Sequence, residues 1–159
     1  MKKNGFTFIE VLIAILIVGL AIASLLAANS SFTKANSAGT NLSTAEFLIE
    51  QIRELTALLP VVDPQTGTST FGPEAGETLA NYDDLDDFDG ASFSPPINTR
   101  REILNSFAGF SQHITVENVS GTNFENVVAY HGSYFVRVTA KVLLNSKEIS
   151  SASWVRARY

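Results

Sequence analysis

The chain has no cysteine, so a disulfide framework, a thiolate metal site and a cysteine nucleophile are all excluded. Histidine is nearly absent: His113 and His131 are the two in 159 residues, each beside a predicted strand. There is no His-x-x-x-His pair, no Gly-x-Ser-x-Gly elbow and no glycine-rich phosphate loop, which removes the commonest hydrolase and nucleotide-binding chemistries. Ser111 lies near His113, but closeness along a chain is not triad geometry. No enzymatic role is expected. Bases are also short, 11 against 16 acids for a net charge of −5. Loss of Lys2 and Lys3 with a leader would leave nine bases and a net charge of −7. That balance argues against phosphate-backbone binding, so nucleic acid is not an expected direct partner.

Proline is missing before Pro60, and charge is missing throughout residues 11–33. Residues 11–28 are long enough, at about 1.5 Å per helical residue, to cross most of a hydrocarbon layer roughly 30 Å thick. Lys2 and Lys3 precede this run, a charge asymmetry that holds the extreme N-terminus in the cytoplasm and sends the rest across. Glu10 sits among Phe6, Phe8, Ile9, Val11, Leu12 and Ile13. A lone carboxylate at that depth is costly unless paired, which makes it a candidate functional group. A cut after Gly5 would create its partner, a new α-amino group on Phe6 carried by a neighbouring subunit.

The segment Lys2-Lys3-Asn4-Gly5-Phe6-Thr7-Phe8-Ile9-Glu10-Val11-Leu12-Ile13-Ala14 closely resembles the prepilin signal of type IV pilins and type II secretion pseudopilins. The resemblance implies cleavage between Gly5 and Phe6 by a membrane-embedded prepilin peptidase, N-methylation of Phe6, and a docking role for Glu10. It further implies other pilin or pseudopilin subunits as partners through the N-terminal helix, and an inner-membrane assembly platform. Tip pseudopilins of the family often lack this Glu, so a subunit with another above it is expected here. The expected location is the inner membrane, single-pass, before assembly, and a periplasmic or cell-surface filament afterwards. Two rivals remain. A membrane-anchored binding module such as an adhesin explains the apolar run but not Glu10. A soluble secreted protein cut after Ala23 fits Ala21-Ile22-Ala23 as a signal-peptidase site, but an acid inside the apolar region opposes it.

Leu42, Ala45, Ile49 and Ile52 recur at helical spacing, with Leu48, Leu55 and Leu59 alongside, and Glu46, Glu50, Arg53 and Glu54 lie on other faces. The expected organisation is a cleaved leader over residues 1–5, one helix over 6–59, and a globular domain over 60–159. A helix of about 54 residues is roughly 80 Å long and would project from its domain. Residues 29–41, rich in Ser, Thr, Asn and Gly, are the expected place for a bend or local melting. Residues 61–96 read as a long, mostly irregular connection. Strands are expected over residues 114–119, 126–130, 133–144 and 149–158, the last two as an antiparallel hairpin around a turn at 145–148. The fold class is therefore α+β and pilin-like, one long helix laid on a small antiparallel sheet.

Within the acidic stretch 74–90, Asp83, Asp84, Asp86, Asp87 and Asp89 place five carboxylates in seven residues. They repel one another unless solvated, protonated or bridged by a cation, and calcium is the natural candidate outside the cytoplasm. The EF-hand spacing fails, since aligning Gly90 with its glycine puts Leu85 at the first ligand and Pro96 at the closing Glu. Any site would be irregular, and a merely solvated loop is the plainer expectation. Tyr82, Leu85 and Phe88 between the acids suggest a loop pinned to the domain. Some pseudopilins hold calcium in their loops, so the resemblance admits a metal. Phe71-Gly72-Pro73-Glu74-Ala75-Gly76-Glu77, followed by residues 82–90, also resembles the corresponding region of the D-type minor pilins of mannose-sensitive haemagglutinin pili, which implies a minor subunit.

Overall fold

The computed structural model describes residues 5–158. Lys2, Lys3 and most of the expected leader lie outside the described residues. One helix, α1 (Phe8–Thr56), is followed by strands β1 (Ser92–Phe93), β2 (Phe110–Val119), β3 (Phe135–Leu144) and β4 (Lys147–Ala157). The chain divides into two compact units, residues 1–40 and 41–159.

In the first unit α1 is exposed on every side over residues 8–40. Residues 29–41, expected to bend or melt, are helical throughout. Their hydroxyls bond back onto the helix: Thr33 Oγ1 donates to the Asn29 carbonyl at 3.0 Å and Thr40 Oγ1 to that of Asn36 at 3.0 Å. With Ser31 Oγ donating to the Ala27 carbonyl at 3.1 Å, these hydroxyls find acceptors on the helix itself and leave its backbone ladder unbroken.

In the second unit the rear of α1 buries Ala45, Leu48, Ile49 and Ile52 of the stripe that the helical spacing defined, and Thr56 beside them, while Leu42 at its start stays exposed. It packs on a four-stranded antiparallel sheet of order β1-β2-β3-β4, giving the α+β, pilin-like fold. Alternation in β2 and β3 turns Ile114, Val116, Val136, Val138, Ala140 and Val142 into the core, as a half-buried sheet requires. On the other face Arg137 Nη2 meets Glu117 Oε2 at 2.7 Å and Thr139 meets Ser153 at 2.8 Å. Strand β2 begins at Phe110 rather than Ile114, because Phe110 to His113 continue the register against Leu144 to Lys141.

The β3–β4 turn is tighter than the expected 145–148. Asn145 and Ser146 alone form it, at φ 49° and 67°, both left-handed as in the two-residue turns that match strand twist. A shift in pairing between Val142 and Leu143 then skips Ile149 on β4. The expected strand over 126–130 is reduced to a bridge between Val127 and Val119; Phe124, Val127 and Tyr130 stay exposed, so no apolar face holds it down.

Helix α1 ends at Thr56, three residues before Leu59. Arg156 on β4 explains the stop: its Nη1 donates to the Thr56 carbonyl at 2.8 Å and its Nη2 to that of Leu59 at 3.1 Å. Carbonyls at a helix end have no partner inside the helix, and a cation there also suits the dipole. Arg156→Ala is expected to destabilise the second unit by about 1–2 kcal/mol, read as a lower thermal midpoint of the detergent-solubilised chain. Arg156→Lys is expected to recover less than half of that loss, because a point charge cannot reach both carbonyls.

Candidate functional site

At the N-terminal motif, Gly5 and Phe6 precede the helix and Phe6 is 88% exposed. Thr7 is the cap: its carbonyl accepts the first helical bond, from Val11 N–H at 3.3 Å. Thr7 N–H and its hydroxyl both donate to Glu10 Oε2, at 2.7 and 2.8 Å, while Glu10 N–H donates to Thr7 Oγ1 at 3.3 Å. This is a reciprocal capping box, and its Thr-x-x-Glu spacing was readable in the sequence although only the acid stood out there. Both bonds go to Oε2, so Oε1 remains for a further donor. Around Glu10 the large apolar side chains are uncovered, among them Phe8, Ile9, Leu12, Ile13, Leu16 and Ile17. Among the described residues α1 is the one helix long and apolar enough to cross a membrane, and that stretch has no burial within the protein.

The acidic loop is not a solvated one. Leu85 and Phe88 are fully buried, Tyr82 packs edge-on against Phe88 with ring centroids 5.2 Å apart, and the carboxylates between them go inside as well. Asp84, Asp86 and Asp87 are 2%, 3% and 1% exposed. The turn Asp86–Phe88 is one of 3-10 helix. Asp84 Oδ1 accepts the N–H groups of Asp86 and Asp87 at 3.0 and 3.2 Å, and Asp87 Oδ2 accepts those of Asp83 and Asp84 at 2.9 and 3.2 Å. Arg101 reaches the same loop, yet its guanidinium donates to the carbonyls of Leu79, Ala80 and Tyr82 and neutralises no acid.

Burial without a counter-charge disfavours ionisation. Asp84 is pushed up to about 8 by burial first, then by its contact with the Asp86 carboxyl. Asp87 is pushed up to about 7, again chiefly by burial, and Asp86 is raised for the same reason. His131 Nε2 stands 4.0 Å from Asp86 Oδ2 but donates to the Thr70 carbonyl at 2.8 Å.

The five aspartates do not converge on one point. Asp89 Oδ1 accepts the Val116 N–H at 2.9 Å and so closes the sheet edge. Asp83 and Asp84 gather with Asp63, and Asp87 with Glu74 and Glu77. Asp63, Glu74 and Glu77 were not among the candidate ligands read from the sequence. The Asp63-Pro64 turn signal marks a loop rather than a ligand, and nothing local shows that residues 74–77 fold back onto residue 87.

Comparison with protein-family models matches residues 1–26 to the prokaryotic N-terminal methylation motif. The match covers the N-terminal motif alone; it supports a type IV pilin-like precursor of the kind that a prepilin peptidase processes, and with the apolar helix it is consistent with membrane anchoring. Comparison with curated proteins and with solved structures gives no match.

Proposed function

We propose that the chain is a structural subunit, a minor pilin or pseudopilin, cut between Gly5 and Phe6, N-methylated at Phe6 and assembled into a type IV pilus or a type II secretion pseudopilus. One observation carries the reading: the methylation motif over residues 1–26 takes in the front of an apolar helix that, among the described residues, is exposed on every side over residues 8–40. In lipid such a surface is satisfied by acyl chains, and on extraction it must be satisfied by other helices. A bundle of identical N-terminal helices supplies them.

Cleavage makes a cation on Phe6, at the start of the apolar segment. Glu10 of the next subunit supplies the anion, with Oε1 open while Oε2 keeps the start of its own helix capped by Thr7. A pair of opposite charges is tolerated where either alone is not. The reading gives the chain no catalytic step; a cytoplasmic ATPase acting through the assembly platform drives extraction. The D-type resemblance of the loop favours a minor subunit.

The test is the intact mass and N-terminal peptide of the membrane-extracted protein, produced with and without a prepilin peptidase. The expected product begins at methylated Phe6 only when the peptidase is present. A chain beginning after Ala23 would make this a soluble secreted protein, and an uncut chain in the presence of the peptidase would leave a membrane-anchored binding module.

A further inference from the structure

We propose that Glu74, Glu77 and Asp87 hold a divalent cation of the calcium type in the connection between α1 and β1. One oxygen from each of the three carboxylates lies within 4.8 Å of the others. Asp87 is 1% exposed, and while its Oδ2 takes two backbone N–H groups, its Oδ1 is buried with no donor. Glu74 shows the same division: Oε1 accepts the Thr66 hydroxyl at 2.8 Å, and Oε2 is buried with no donor. A buried carboxylate oxygen without a partner is rare because its desolvation is uncompensated, and an absent ion is among its standard causes. Among the described residues no ion pair reaches Glu74, Glu77 or Asp87.

The frame is built before the ion arrives. Glu74 and Glu77 belong to one turn, closed by Glu77 N–H to the Glu74 carbonyl at 3.0 Å and by Glu74 N–H to Glu77 Oε2 at 3.1 Å. Asp87 is anchored between the buried Leu85 and Phe88. An all-oxygen set of three carboxylates favours a hard cation over zinc, whose protein sites are built mostly on His nitrogen and Cys sulfur. Calcium accepts about six to eight oxygens in flexible geometry and so suits an irregular loop, whereas magnesium demands a near-ideal octahedron and keeps several of its waters. The neighbouring trio of Asp63, Asp83 and Asp84 is less suited, since it presents one buried oxygen without a donor, Asp83 Oδ1, where Glu74 and Asp87 present two. Nothing in this site depends on how the N-terminus is processed.

The detergent-solubilised full chain, stripped with chelator, would be titrated with calcium chloride by calorimetry. Its thermal midpoint would be compared at pH 7.5 in chelator and in about 2 mM calcium or magnesium, the range of weak extracellular sites. One calcium per chain and a rise in midpoint of about 5 °C or more are expected, with a smaller response to magnesium. Glu77→Gln is expected to weaken calcium binding about tenfold or more while its midpoint in chelator stays at the wild-type value. Asp87→Asn, which puts an amide donor beside Glu74, is expected to be at least as stable as wild type in chelator and indifferent to calcium. Asp89→Asn is expected to keep the full response. No heat of binding and equal midpoints would overturn the proposal. So would a midpoint that falls between pH 6 and 8 whatever the calcium, since protons would then be neutralising the acids. A response lost in Asp89→Asn and kept in Glu77→Gln would overturn it too, by placing the ion elsewhere.

Discussion

Glu10→Leu is expected to leave cleavage after Gly5 intact and to lower incorporation into filaments about tenfold or more, because the Phe6 amine of the adjoining subunit is then buried without an anion. The substitution also removes the acid from the capping box that Thr7 and Glu10 form, so a defect could in principle come from a frayed helix start. Thr7→Ala separates the two causes. It loses the hydroxyl from the cap but keeps the Thr7 backbone N–H and the carboxylate, and is expected to assemble nearly as wild type. Counting the subunit in sheared filaments against the membrane pool, beside a wild-type control, measures both. Equal incorporation of Glu10→Leu and wild type would remove the charge pair from the assembly mechanism. Equal failure of both variants would assign Glu10 to the helix start alone.

The largest stability loss is expected at Gln112, a residue 0% exposed on β2. Its Oε1 accepts the Ile97 N–H at 2.8 Å, and its Nε2 donates to the carbonyls of Leu48 at 2.8 Å and Ile97 at 3.2 Å. One amide thus ties the sheet to helix α1 and to the loop that leads out of β1. Gln112→Leu keeps the volume and strands the Ile97 N–H, for a cost of about 2–4 kcal/mol. In a unit of this size that lowers the thermal midpoint by roughly 10 °C. Differential scanning calorimetry of the solubilised chain reads it directly. A change under about 2 °C would mean that water replaces the amide at no net cost.

Buried acids set the two candidate sites apart in how they could be found. Gly5, Phe6 and Glu10 are legible in the chain because their chemistry is local: a charge step, an apolar run and one acid at fixed spacing are adjacent residues on the start of one helix. The acidic loop is legible only as a concentration of charge. Burial of Asp84, Asp86 and Asp87 follows from Leu85 and Phe88 entering the core beneath them, and the approach of Glu74 and Glu77 to Asp87 follows from the folding back of a segment with no periodicity of its own. Counting acids points to Asp89, which the structure uses to hold the Val116 N–H.

The long helix, its apolar front and amphipathic rear, the α+β class and the β3–β4 hairpin could be read from the chain alone, because each is a repeat of 3.6 or 2 residues written along one segment. Tertiary structure alone decided where the helix stops, what occupies the polar centre of the core and which carboxylates meet. Arg156 ends α1 from 100 residues away, Gln112 reaches Leu48 across 64, and Glu74 finds Asp87 only through a turn. A hydrogen bond or a charge contact acts over a few ångströms of space whatever the separation along the chain, so periodicity predicts the faces that meet, and the fold selects the polar partners between them.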